Sequence, residues 1–147
     1  MMSDKWHDNF LKMAEHIAGW SKDPSSKIGA VAVGDRRQIL ATGYNGFPRG
    51  IKDYRDRLET RETKYKFMVH GEMNCIYNAT LNGVSLNGAD LYVHGLPVCS
   101  ECAKGIIQVG IKRVFMRYPD EVSQKWLGMG LETKEMFAEA GVELNKL

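Results

Sequence analysis

Apolar residues recur every three or four positions near the start of the chain, at Trp6, Phe10, Met13, Ile17 and Trp20. That spacing predicts one face of an amphipathic helix. Asp23-Pro24 ends it, because the residue before a proline is pushed out of helical geometry. The period then shortens. IGAVAVG (28–34) and ILATGY (39–44) are short β-prone runs separated by the charged DRRQ, which predicts an antiparallel hairpin. NGFPRG adds turn chemistry, with two glycines and a proline. IKDYRDRLETRETKYK (51–66) carries both charge signs and almost no apolar face. It reads as a solvated loop or surface helix, with a flap over a ligand or a subunit contact as the alternative.

In the second half the periods alternate. HGEMNCIYNA (70–79) starts a helix with an apolar stripe at Met73, Ile76, Tyr77 and Leu81. ADLYVH (89–94) is a strand. CSECAKGIIQVG is a helix with Cys99, Cys102, Ala103, Ile106, Ile107 and Gly110 on one face. IKRVFMRY (111–118) is a strand, residues 121–140 a charged helix with Met129, Phe137 and Ala138 among its apolar points, and VELN (142–145) a last strand. Strands alternating with helices imply right-handed crossovers and parallel pairing. The expected architecture is α/β. It is a mixed five-stranded sheet with helices on both faces, three layers in the order α-β-β-α-β-α-β-α-β, forming one domain over residues 1–147.

Composition changes little in this picture. A chain of 147 residues with 44% hydrophobic and 26% charged content has enough apolar material for one real core. A net charge of +2 is too small to argue for nucleic acid, and suits a small anionic ligand. No apolar run approaches the roughly 18 residues of a membrane span, and MMSDKWHDNF lacks a secretory core. A cytoplasmic protein without a membrane partner is the expectation. The three cysteines rule out a complete set of disulfides, so the C-x-x-C at Cys99 and Cys102 points to metal binding or redox chemistry.

Cys99 and Cys102, three apart in the first turn of a helix, share a face. The unpaired N–H groups and positive dipole end favour thiolate there. With no second C-x-x-C, a closed four-cysteine site is excluded within one chain. His70 is the best third ligand, and three protein ligands with an open position mark catalytic zinc. Two residues along a helix turn a side chain by roughly 200°, so His70 and Glu72 cannot face one point from within a regular helix. His70 therefore belongs at the helix entrance, with non-helical dihedrals, and Glu72 in the first turn as a proton carrier. Gly71 between them tolerates close backbone approach. Cys75 reads as a small buried hydrophobe, His94 as a structural or pocket-wall residue, and His7 and His16 as surface histidines.

H-x-E followed by C-x-x-C at the next helix start is the signature of zinc nucleobase deaminases. With SKDPSSKIGAV, TGYNGFPRG, HGEMNCIYNA and CSECAKGIIQVGIKRV, the chain resembles the cytidine/deoxycytidylate deaminase family from about residue 8 to 145, most like its deoxycytidylate (dCMP) branch. The resemblance implies hydrolytic deamination at C4 of a cytosine nucleotide, dCMP to dUMP, with one Zn2+ on His70, Cys99 and Cys102 and Glu72 as the catalytic acid and base. It implies that the Gly71 N–H holds the base carbonyl, Asn45 the deoxyribose hydroxyl, and Ser25, Ser26 and Lys27 the phosphate. It also implies dCTP and dTTP effectors at Gly43, Tyr44, Gly46, Arg49 and Gly50, with Mg2+ accompanying the triphosphate, dCTP as a further substrate, and a homohexamer. Two positions depart from the family pattern. Gly71 stands where alanine is usual, and Val98 where proline is. The competing readings are a deaminase of tRNA adenosine or single-stranded nucleic acid, a non-catalytic zinc-stabilised nucleotide-binding module, and a C-x-x-C redox protein.

Overall fold

The computed structural model describes residues 4–122 and 130–147. Its sheet has the strand order β2-β1-β3-β4-β5, formed by β1 (Gly29–Val33), β2 (Ile39–Tyr44), β3 (Asp90–His94), β4 (Arg113–Arg117) and β5 (Glu143–Lys146). β1 pairs antiparallel with β2 and with β3, and β3–β4–β5 are parallel. This is the mixed five-stranded sheet that the hydrophobic pattern implies. Every residue of β1 is buried, because the strand is covered on both faces; that is why it reads as a continuous apolar run instead of an alternation.

The two faces carry different helices. Val31, Val33, Tyr92 and Phe115 pack with Phe10, Leu11 and Ala14 of α1 (Asp4–Ala18). Ala30, Ala32, Leu91, Val93 and Val114 face the other way. They pack with α4 (Gly71–Leu81), α5 (Ser100–Gln108) and α6 (Leu131–Ala140) through Ile76, Ile106 and Phe137. The α6 end of the expected 121–140 helix is present; Met129 and the rest of 123–129 lie outside the described residues. Residues 51–66 supply two short helices, α2 (Arg55–Glu59) and α3 (Arg61–Phe67). They are exposed apart from Lys64 and a few half-buried positions.

Both expected helix stripes are rotated. On α1 the buried face is Phe10, Leu11, Ala14, Ile17 and Ala18, while Met13 is exposed; Trp20, also exposed, lies in the turn beyond the helix. On α4 it is Gly71, Glu72, Cys75, Ile76 and Ala79, while Tyr77 and Leu81 face solvent. Close approach explains both. A Cβ on Gly29 would overlap the Ala14 carbonyl oxygen, and one on Gly43 the Cys75 backbone nitrogen. Helices that come this near a sheet present small residues, and the large ones are displaced to the flanks. His7 is also more than a surface residue: its Nδ1 lies 2.8 Å from the Tyr92 hydroxyl and its ring 4.3 Å from that of Phe115.

Gly43 and Gly46 thus separate cleanly. Gly43→Ala must push β2 off α4, whereas a Cβ at Gly46 meets nothing nearer than the Tyr44 ring at 3.9 Å. Urea denaturation is expected to show a loss of about 3 kcal/mol for Gly43→Ala and less than about 0.5 kcal/mol for Gly46→Ala.

Candidate metal centre and nucleotide site

The register gathers several loops at one end of the sheet. Gly29 pairs with Tyr44 and with His94, so the loop leading into β1, the end of β2 and the β3–α5 connection lie together. The first turns of α4 and α5 enter beside them. His70 is the N-cap of α4, with φ −65° and ψ 151°, and Glu72 lies in the first turn. Cys99 is the N-cap of α5 and its sulfur accepts the Cys102 N–H at 3.5 Å. The extended dihedrals of both cap residues turn their side chains across the gap between the helices.

His70 Nδ1 lies 3.3 Å from Cys102 Sγ and 3.4 Å from Cys99 Sγ, and all three donor atoms fall within 4.8 Å of one another. Ligands on a tetrahedral zinc, with bonds of about 2.0–2.3 Å, stand about 3.5 Å apart, so the donor set fits that ion. Among the described residues no other group of three such side chains converges. Cys75 is fully buried, donates to the Ala41 carbonyl at 3.5 Å, and burial pushes its thiol up to about 12.

The electrostatics suit metal loading. Contact with Cys102, then with His70, pulls the Cys99 thiol down to about 4. Cys102 moves the other way, because a thiolate is already beside it and the site is buried. The pair shares one negative charge until a cation makes a second thiolate favourable. The imidazole of His70 is raised by its bond to Cys99. Glu72 is 4% exposed, and burial pushes its carboxyl up to about 7, against the pull of its own backbone N–H. A carboxyl tuned near neutrality both gives and takes a proton.

The other expected residues fall into four groups. Gly71 opens α4, where its N–H has no intrahelical partner; a Cβ there would press on the Ile28 carbonyl oxygen at 3.0 Å. Asn45 is 3% exposed. Its Nδ2 donates to the Ser26 carbonyl at 2.8 Å and lies 3.4 Å from Asp23 Oδ2, and its Oδ1 accepts the Ile28 N–H at 2.8 Å. Ser25, Ser26 and Lys27 form the adjoining loop, with the Lys27 ammonium on the Ser21 carbonyl. Gly43 is buried under α4 and offers no surface to an effector; its absent Cβ serves packing. Tyr44, Gly46, Arg49 and Gly50 are at least partly accessible, and Arg49 donates to Asn78 Oδ1 at 2.5 Å.

Sequence reading missed two polar residues here. Asp23 reads as a helix stop and Lys64 as part of a solvated segment, yet both are buried and paired at 3.0 Å. The available signal was local: an aspartate before Pro-Ser-Ser can accept following backbone N–H groups. His94 shares the α1 side of the sheet with Tyr92 by strand alternation, away from the three ligands. Burial depresses its imidazole and leaves Nδ1 without a hydrogen-bond partner. Val98, at the family's proline position, is buried, and its carbonyl accepts the Thr133 hydroxyl at 3.0 Å. No helix among the described residues is long and apolar enough to cross a membrane.

Comparison with known proteins agrees with this geometry. The model of the cytidine and deoxycytidylate deaminase zinc-binding region matches residues 4–118. An uncharacterized deaminase in the luxG 3' region of Aliivibrio fischeri is 39% identical, over 99% of this chain and 96% of that protein. Deoxycytidylate deaminase of Mus musculus is 42% identical over 75% of this chain, and the match spans 63% of the mouse protein's length. The dCMP deaminase of cyanophage S-TIM5, solved in complex with dCMP and dUMP, superposes with a TM-score of 0.79 at 26% identity and full coverage of both chains. With these matches and the converging His70, Cys99 and Cys102, the chain belongs to the cytidine and deoxycytidylate deaminase family.

Proposed function

We propose that the chain deaminates 2′-deoxycytidine 5′-monophosphate hydrolytically, giving dUMP, the precursor of thymidylate, and ammonia. The observation that carries this reading is geometric: Glu72, a carboxyl only 4% exposed, lies in the first turn of the helix whose N-cap is His70, beside the converging His70, Cys99 and Cys102. A zinc site that only stiffened a loop, or a module that only bound nucleotide, has no use for such a proton carrier. The small net charge of +2 and the likeness to a phage enzyme solved with dCMP and dUMP favour a free nucleotide over a nucleic acid strand.

His70, Cys99 and Cys102 would hold a zinc ion, which would supply a Lewis acid that brings the ionisation of water near neutral pH. Glu72 does the proton work. It takes a proton from water and delivers it to N3 as the oxygen adds to C4; it then takes the second proton of that oxygen and passes it to the amine, so that the C4–N bond breaks, the C4 carbonyl forms and ammonia leaves. The Gly71 N–H, free at the helix start, holds the base carbonyl. Asn45 has committed its Nδ2 to Ser26 and Asp23, so it meets the deoxyribose hydroxyl as an acceptor, through the second lone pair of Oδ1. Ser25, Ser26 and Lys27 flank the phosphate.

Residues 44–50 are the candidate effector loop for dCTP and dTTP, with Mg2+ accompanying the triphosphate. Asn74 donates to the Tyr44 carbonyl and Asn78 to the Thr42 carbonyl, each at 2.8 Å, so a ligand there acts on the helix that carries His70 and Glu72. Acceptance of dCTP as a substrate, a homohexamer of single-domain chains and a cytoplasmic setting complete the proposal.

Three outcomes test it. The purified chain is expected to hold about one zinc and to convert dCMP to dUMP, read by loss of cytosine absorbance; normal zinc with no turnover of any cytosine nucleotide sinks the reading. Glu72→Gln is expected to keep zinc and fold while kcat falls on the order of 10²–10⁴-fold. Cys99→Ala is expected to lose zinc by metal analysis, and activity with it.

A further inference from the structure

Lys64 is the one buried residue of α3, with its side chain 6% exposed and matched by Asp23 at 6%. Its ammonium lies 3.0 Å from Asp23 Oδ1 and 3.2 Å from Ser25 Oγ. The same Asp23 oxygen accepts the N–H groups of Ser25, at 2.8 Å, and Ser26, at 3.2 Å. Taking two charges out of water is costly and is repaid only where geometry and further hydrogen bonds are good. Neither α3, seven residues long, nor the turn it touches gains by burying them. The pair is better explained by what it holds in place.

We propose that Lys64 is a positioning residue which, together with Asp23, presents the Ser25 hydroxyl as a hydrogen-bond donor to the 5′-phosphate; this rests on the nucleotide reading above. An ammonium can only donate. Ser25 Oγ therefore accepts from Lys64, and its own proton is turned away from the ammonium. Ser25 is exposed, so that proton faces the solvent side of the loop, where an anionic oxygen takes it. The ammonium polarises the hydroxyl and strengthens it as a donor. Asp23 supplies the rest: it holds the ammonium in place and caps two backbone N–H groups, so the loop cannot turn Ser25 inward.

The adjoining residue repeats the tie. Lys22 pairs with Asp53 at 2.5 Å, so consecutive residues of the turn clasp both ends of the charged segment. Lys22–Asp53 is exposed and contributes little by itself; the buried pair sets the spacing. The charged segment is thereby part of how the phosphate end of the site is built, and not a detached flap.

The test uses the zinc-loaded full chain with dCMP and with deoxycytidine, which lacks the phosphate. Lys64→Met is compared with the paired variant Asp23→Asn/Lys64→Met, which leaves an amide oxygen to cap the loop and no unpaired buried charge. Each is also made on a Ser25→Ala background. In Lys64→Met, loss of the positioned charged hydrogen bond is expected to raise KM for dCMP roughly tenfold, with kcat within about twofold and deoxycytidine turnover unchanged; in the paired variant, where Asp23 also meets Asn45, the ratio of KM for dCMP to KM for deoxycytidine is expected to rise by the same factor. On the Ser25→Ala background the same changes are expected to raise KM less than about twofold. An equal rise on both backgrounds overturns the proposal, as does a fall in kcat shared by nucleotide and nucleoside. If the unaltered chain does not deaminate dCMP, the substrate reading falls on that result alone, and amide exchange in substrate-free protein decides the positioning role. Residues 61–67, which the pair ties to the turn, are expected to exchange at least about tenfold faster in the paired variant while the capped residues 25–26 change less, and unchanged exchange at 61–67 overturns it.

Discussion

The helix that carries His70 and Glu72 lies so close to β2 that position 43 has no room for a Cβ beside the Cys75 nitrogen. That approach is the constraint on which the site depends. It holds α4 down along its length through Cys75, Ile76 and Ala79, so the first turn cannot tilt away from the sheet edge. It also sinks Glu72 into the interior. A carboxyl at a solvated helix start would be an ordinary dipole-complementing acid. Under close packing, burial pushes the carboxyl of the same residue up from its ordinary range.

A second helix completes the arrangement from the other side. α5 begins on Cys99 as α4 begins on His70, and both cap residues are extended. Two helix entrances facing each other concentrate unpaired N–H groups and positive dipole ends in one place. Thiolate is favoured there, and the crowding of two sulfurs and an imidazole within 4.8 Å makes a divalent cation the natural counter-charge. The parallel β3–β4 pair behind α5 keeps this geometry rigid, with Val98 and Thr133 pinning the connection that enters the helix.

The polar network around Asp23 is the counterpart at the far end of the site. Asp23, Asn45, Ser25 and Lys64 are joined by bonds of 2.8–3.4 Å that reach from the α1–β1 turn to β2 and to α3. A buried polar network holds only when nearly all its members are satisfied, so it ties the α1–β1 turn, the end of β2 and α3 together. His70, Cys99 and Cys102 could hold a cation at one end of the site; at the other, the network centres on the Asp23 carboxylate, which accepts from Ser25, Ser26 and Lys64.

Much of this was legible in the chain itself. Strand positions, the hairpin, the parallel second half and the metal donor set follow from local periods and from residue types whose chemistry admits few uses. His70 at the helix entrance with Glu72 in the first turn follows from helical geometry once both are required to face one metal. Tertiary structure decided which helical face is buried, because that depends on small residues allowing close approach, and the large apolar residues of α1 and α4 misled the eye. It decided that Gly43 serves packing, that His7 bonds Tyr92, and that one lysine among the many charges of 51–66 is buried against Asp23. Periodicity records what each residue prefers along its own element. Pairings between residues 41 positions apart, such as Asp23 and Lys64, are set by how the elements meet, and nothing in the local pattern encodes them.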